Sequence, residues 1–172
     1  MISADSRGSR EVLVVLDQLL GRMDDMRPAL LEIGEDQTQS VKRRFTTATA
    51  PDGSAWAPNK QSTMDAYLGL FKGSHKKDGS LSKKGTARTA AKKPGTGETK
   101  ALQTTINYQL QGADTVAIGS PMVYAAMFNF GGTRSQFPHL WGDIPAREAF
   151  GFSDDDRANI LNVVESYLLG GT

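Results

Sequence analysis

The chain has 172 residues, 38% of them hydrophobic and 23% charged, no cysteine and a formal net charge of +1. That length fits one domain with a buried core, and the missing thiols exclude disulfide frameworks, thiolate metal sites, Fe–S clusters and cysteine nucleophiles. No run reaches the roughly 18 apolar residues of a membrane span, and Met1-Ile2-Ser3-Ala4-Asp5 lacks the basic-then-apolar pattern of a secretory signal, so a soluble protein made in the cytoplasm is expected.

In chain order, Ser9 stands before an amphipathic helix with Val12, Leu16, Leu19, Leu20 and Met23 at helical spacing, and Ser9 is its expected N-cap. Gly21, Asp24-Asp25 and Pro28 mark a break and restart. A second helix then carries Leu30, Leu31, Ile33, Val41 and Phe45 to about Thr47. Its early Glu32, Glu35 and Asp36 and late Lys42, Arg43 and Arg44 complement the helix dipole. Pro51-Asp52-Gly53-Ser54 has turn chemistry, and Trp56 is expected to anchor the loop against the helices. A short, weak helix is expected over Ser62–Phe71.

The small net charge hides a segregation along the chain. Lys72 to Lys100 holds nine Lys/Arg against Asp78 and Glu98, a net +7, which leaves −6 on the rest. This segment has almost no apolar residue larger than alanine and cannot offset its ordering entropy by burial, so a long flexible basic loop over 72–101 is expected. Order returns with a hairpin of Thr104–Gln111 and Thr115–Gly119 around Gln111-Gly112-Ala113-Asp114. Val123–Phe130, ended by Gly131-Gly132, reads as a short buried helix, with a buried strand as the competing reading. Asp154–Leu169 reads as a C-terminal helix capped by Ser153. The fold class is α+β: one domain over 1–172, with an N-terminal helical region (1–48), the basic loop (72–101), and a hairpin plus C-terminal helix (102–172) making a small antiparallel sheet.

No catalytic constellation is found, and no catalytic, cofactor or metal residue is proposed. His75 reads as a solvated loop residue and His139 as a packed or interface residue; neither has a ligand or nucleophile–base spacing. The glycines of the basic segment lack the strand–loop–helix context of a phosphate cradle. Asp154-Asp155-Asp156 fan around the start of a helix and favour its dipole rather than a cation. Lys76, Lys77, Lys83, Lys84, Arg88, Lys92 and Lys93 are candidates for contact with nucleic-acid phosphates or an acidic protein surface, set against a merely solvated insert. No aromatic residue falls between Phe71 and Tyr108, so a base-stacking platform is absent.

Three blocks together resemble the phage virion morphogenesis family, the tail-completion proteins of Mu-like and P2-like phages. The first is Arg44-Phe45 with Pro51-Asp52-Gly53-Ser54-Ala55-Trp56-Ala57-Pro58. The second is Val116-Ala117-Ile118-Gly119-Ser120, then Val123-Tyr124-Ala125-Ala126-Met127 and Phe130-Gly131-Gly132. The third is Ile144-Pro145-Ala146-Arg147, then Gly151-Phe152-Ser153-Asp154-Asp155-Asp156 and a helix. The chain departs from the family's pattern at Phe128, where histidine is usual, at Glu148-Ala149-Phe150, and around Gly97–Leu102.

The resemblance implies a structural, non-enzymatic virion protein at the neck or tail end, made in the host cytoplasm. It would complete or terminate the tail and join it to the head as a homo-oligomeric ring, a hexamer by tail symmetry. Its partners would be further copies of itself, the tail tube protein and a head–tail connector or stopper protein, without membrane and with nonspecific DNA contact as an option. Trp56, Tyr124, Phe130, Gly131, Pro145 and Arg147 are the implied structural or interface signature, with Arg147 an ion-pair or interface residue, against ordinary core and turn duty. The alternative is a DNA-binding or packaging-associated accessory protein using the basic loop; a small hydrolase with an unrecognised site is a third reading.

Overall fold

The structure, a computed structural model, describes residues 6–97, 99–140 and 142–170. It is α+β: helices α1 (Ser6–Asp24), α2 (Arg27–Thr47), α3 (Gln61–Gly69), α4 (Lys83–Ala91) and α5 (Ala101–Thr104), strands β1 (Asn107–Gln111) and β2 (Thr115–Gly119), then α6 (Ala125–Phe130) and α7 (Asp154–Leu169). The chain packs as two compact units. Unit 1 is Met1–Ser40, Asn107–Gly119 and Phe152–Thr172; unit 2 is Val41–Ile106 and Ser120–Gly151.

Unit 1 is built on α7 and the first half of α2. Ala29, Ile33 and Val163 are buried together, with Met26, Val116, Ile160, Val164 and Tyr167 packed against them. Helical spacing puts Ala29 and Ile33 on one face of α2. β1 and β2 pair antiparallel from Asn107 opposite Gly119 to Gln111 opposite Thr115, turned by Gly112 at a φ of 78°. The sheet reaches α2 because Gly34 has no side chain: a Cβ there would lie 2.5 Å from the Tyr108 ring. Polar bonds tie the helices. Arg22 donates to the Leu168 carbonyl at 2.7 Å, placing a cation at the negative end of α7. The Tyr167 hydroxyl donates to the Asp25 carbonyl at 2.6 Å, and Asn159 donates to the Asp36 carboxylate at 2.6 Å. At the turn into α2, side-chain hydrogen bonds from Arg27 hold the Asp25 carboxyl at a pKa of about 2.

The start of α7 follows from its sequence. The Ser153 hydroxyl accepts from Asp156 N–H, and the Asp156 carboxylate accepts in return from Ser153 N–H. Two otherwise orphaned donors are thereby satisfied. Gly170, at a φ of 79°, ends the helix in the left-handed conformation.

Unit 2 has a larger buried set, comprising Val41, Phe45, Trp56, Met64, Leu68, Leu102, Ile106 and Ala149. Most of its chain is irregular, so its backbone groups need side-chain partners.

Several expectations are corrected. α1 begins at Ser6, so Ser9 lies within the helix rather than capping it. The apolar stripe of α1 is exposed: Val12, Leu16, Leu20 and Met23 all keep about half of their surface or more, and Leu19 is half-buried. The short helix α6 exists but is not buried, since Asn129 is its buried residue and Phe130 is 76% exposed.

The largest difference lies between Lys72 and Lys100, where α4 and a small hairpin replace the expected irregular loop. His75 pairs with Leu81, Ser82 caps α4 through Gly85 N–H, and Arg88 donates to the Ser74 hydroxyl at 2.9 Å. Arg88 also lies 4.6 Å from the Phe71 ring and Lys92 4.7 Å from the Tyr67 ring. Weighing only the apolar content of the segment overlooked caps, backbone pairs and aromatic rings supplied by α3 and the residues after it.

Ser153→Ala removes the acceptor at the α7 cap and is expected to cost about 1 kcal/mol. Urea unfolding followed by far-ultraviolet circular dichroism measures it, and a loss below about 0.3 kcal/mol would show that the cap contributes little.

Candidate assembly site

Parts of all three sequence blocks lie in unit 2 around one irregular segment, Ile144–Gly151, while Val116–Gly119 of the second block and Phe152–Asp156 of the third belong to unit 1. The first block shapes the wall behind it. α2 ends where Ala48 takes a φ of 57°. Thr49 then pairs with Ala55, Ala50 N–H reaches the Ser54 carbonyl at 2.8 Å, and Trp56 N–H reaches the Ala48 carbonyl at 2.8 Å. Gly53, at a φ of 82°, makes this reversal possible, and Asp52 accepts from Ser54 N–H. The turn folds Trp56 back onto Phe45, with ring centroids 5.2 Å apart and edge-on. Phe128 of α6 completes a trio, stacked on Phe45 at 5.4 Å and edge-on to Trp56 at 5.3 Å. These offset and T-shaped arrangements are the preferred ones for aromatic rings. Phe128 therefore fills the position where the family's histidine was expected by contributing a third apolar ring.

The second and third blocks are joined by backbone. Gly132 and Ile144 exchange hydrogen bonds of 2.9 and 2.8 Å, and Arg147 N–H donates to the Phe128 carbonyl at 3.0 Å. Gly131 permits this approach: its φ is 70°, and a Cβ would sit 2.6 Å from Ala146 N and 2.7 Å from the Ile144 carbonyl oxygen. Beyond Arg147, side chains take over. The Trp56 indole donates to the Glu148 carbonyl at 2.9 Å. Asn129 Oδ1 accepts from both Ala149 N–H and Phe150 N–H, at 2.8 and 2.9 Å. The buried Arg44 guanidinium donates to the Ala149 carbonyl at 2.6 Å and the Gly151 carbonyl at 2.8 Å. Ala149 is fully enclosed.

Of the predicted signature residues, Trp56, Gly131 and Arg147 hold this segment, and Pro145 lies within it. Arg147 donates to the carbonyls of Ala57 and Pro58 at 3.0 and 3.2 Å, rather than to a carboxylate as an ion pair would. Burial pushes its pKa below the ordinary arginine value, while the group stays charged. Tyr124 and Phe130 are half or more exposed and are not part of the clamp. A cavity of about 310 Å³ opens beside it, lined among others by Lys60, Lys92, Phe128, Asp143, Pro145 and Arg147.

Asn129 is the residue that sequence reasoning missed, and Arg44, which opens the first block, was read as a helix-end cation rather than as a buried donor to this segment. Asn129 had a signal, being the polar residue in the otherwise apolar run Val123–Phe130, where a buried amide must find partners. The basic candidates divide. Lys76, Lys77, Lys83 and Lys84 are exposed; Arg88 and Lys92 lie half-buried on aromatic rings; Lys93 is exposed but donates to the Thr46 carbonyl. His75 is exposed as expected, whereas His139 is exposed rather than packed, edge-on to Phe137.

This constellation binds backbone and leaves no nucleophile–base pair in it. Among the described residues no group of three His, Asp or Glu could hold a metal ion, and no helix is long and apolar enough to cross a membrane. The model of the phage virion morphogenesis family matches residues 9–169. The chain belongs to the phage virion morphogenesis family. No curated protein and no solved structure matches it. In this member of the phage virion morphogenesis family, Arg44, Trp56 and the Phe128–Gly132 stretch, widely separated in sequence, together fix the Ile144–Gly151 segment.

Asn129→Ala strips the acceptor from two N–H groups, one of them on the fully enclosed Ala149, and is expected to cost about 2–4 kcal/mol. Urea unfolding monitored by Trp fluorescence tests this. A loss under 1 kcal/mol would mean that water or a neighbour replaces the amide.

Proposed function

We propose that this phage assembly protein completes or terminates the tail and joins it to the head connector, acting as a homo-oligomeric ring. The family match over 9–169 carries the reading. The site supports it as a rigid scaffold of backbone-binding side chains beside exposed apolar residues, a combination suited to holding surfaces in place. Ring closure is the expected result of a head-to-tail contact, and sixfold symmetry follows from that of tails. The tail tube protein and a connector or stopper protein are its proposed neighbours, and the neck or tail end of the virion its place.

A second reading, a DNA-binding or packaging-associated accessory, draws on the +7 charge between Lys72 and Lys100 and on the exposure of Lys76, Lys77, Lys83 and Lys84. Such binding would weaken steeply with salt as phosphate counterions are released.

Electron microscopy of lysates from a phage carrying an early stop in this gene separates the two. Tail completion predicts filled heads beside detached or overlong tails. Empty heads with normal tails would overturn it in favour of packaging.

A further inference from the structure

The two units carry opposite charge. Unit 1 has thirteen acids and five Lys/Arg, a net −8, while unit 2 has fifteen Lys/Arg and six acids, a net +9. Each also presents unsatisfied apolar surface. On α1 of unit 1, Val12, Leu13, Leu16, Leu20 and Met23 are between 49% and 58% exposed. At 100° per residue they form one broad stripe. Val12, Leu16, Leu19 and Met23 follow the 4-3-4 spacing by which one helix seats on another. Asp17 and Asp24 border this stripe on one edge, with Arg10 on the same side, and Glu11 and Arg22 lie on the other; the three acids and three arginines of Ser6–Asp24 cancel, so the negative charge of unit 1 comes from outside α1. In unit 2, Val123 is 100%, Phe130 76% and Tyr124 50% exposed at α6.

We infer that α1 of one copy docks on the α6 face of unit 2 of a second copy, the two copies being drawn together by the opposite net charges of the two units. Five side chains about half exposed amount to roughly 450 Å² of apolar surface, about the apolar share of one side of a standard interface. The mode is an amphipathic helix laid on an apolar surface. Unlike patches meet, so each copy keeps one free donor face and one free acceptor face, and the contact propagates until a ring closes. This deepens the assembly proposed above and rests on it for closure; the contact itself stands on the surface chemistry.

Sedimentation velocity of purified full-length protein tests it. The wild type is expected to associate at micromolar concentration in low salt, and to dissociate in part as salt rises. Leu16→Asp/Leu20→Asp and Val123→Asp/Phe130→Asp change exposed residues and should each be monomeric, with the helix content of the wild type by circular dichroism. Mixed one to one they should give a heterodimer and nothing larger, because each supplies the face that the other lacks. A second variant, Asp17→Lys/Asp24→Lys, leaves the apolar stripe intact and should weaken association at least tenfold in low salt.

A monomeric wild type, a variant that assembles like the wild type, or a mixture that stays monomeric while the wild type associates would each overturn the inference. The last two would leave ring assembly standing through another surface. The stop-codon phage judges tail completion separately in every case.

Discussion

The segment Ile144–Gly151 has no helix or strand of its own, yet the backbone groups around its enclosed Ala149 are paired, by hydrogen bonds that Arg44, Trp56 and Asn129 make. A buried peptide group without a partner costs about 1–3 kcal/mol, so an irregular segment can be enclosed only where side chains stand in for a sheet or helix. Arg44 is suited to one end, because its guanidinium serves two carbonyls from one nitrogen, at 2.6 and 2.8 Å. A charged donor also strengthens each bond. Asn129 serves the other sense, presenting one oxygen to two successive N–H groups. The surrounding features of unit 2 follow from this need. The turn at Gly53 brings Trp56 within reach, the trio of Phe45, Trp56 and Phe128 fixes the ring planes, and Gly131 admits the chain to contact.

Such an arrangement fits a protein whose work is to hold a shape. A clamp of short, mutually supporting hydrogen bonds restricts the conformations the backbone can take, which suits a member of the phage virion morphogenesis family. The reverse holds on α1. A helix with a broad stripe of large apolar residues ordinarily has that stripe covered, and in the single chain this one is half open. The two features complement each other, one supplying rigidity within the chain and the other surface that remains to be covered.

Local signals made some elements legible. The end of α2 at Thr47 and all of α7 agree with the sequence reading, because the apolar spacing continues to a definite stop and because Ser153 and Asp156 form a recognisable cap. The hairpin was legible from its alternation and Gly112, although its first strand starts at Asn107 rather than Thr104, which ends α5. What stayed hidden depended on distant partners. Nothing within Lys72–Lys100 announces that Tyr67 and Phe71 will receive Lys92 and Arg88, so the segment reads as structureless although α4 forms there. Arg44 looks like a helix-end cation completing the dipole pattern, and its burial is decided by carbonyls more than a hundred residues away. Likewise α6 reads as buried from its apolar content, but Val123 and Phe130 face outward, a choice that composition cannot make.

The clamp can be tested without perturbing it. Amide hydrogen exchange of Ala149 and Phe150, followed by nuclear magnetic resonance in the free protein, reads directly whether Asn129 holds this segment closed. The account predicts exchange as slow as that of the amides in the buried second half of α2, since opening the segment must break the Arg44, Trp56 and Asn129 bonds together. Exchange near the rate of an unstructured peptide, with α2 still protected, would show the segment to be open in solution and would contradict the claim that Arg44, Trp56 and Asn129 hold it closed.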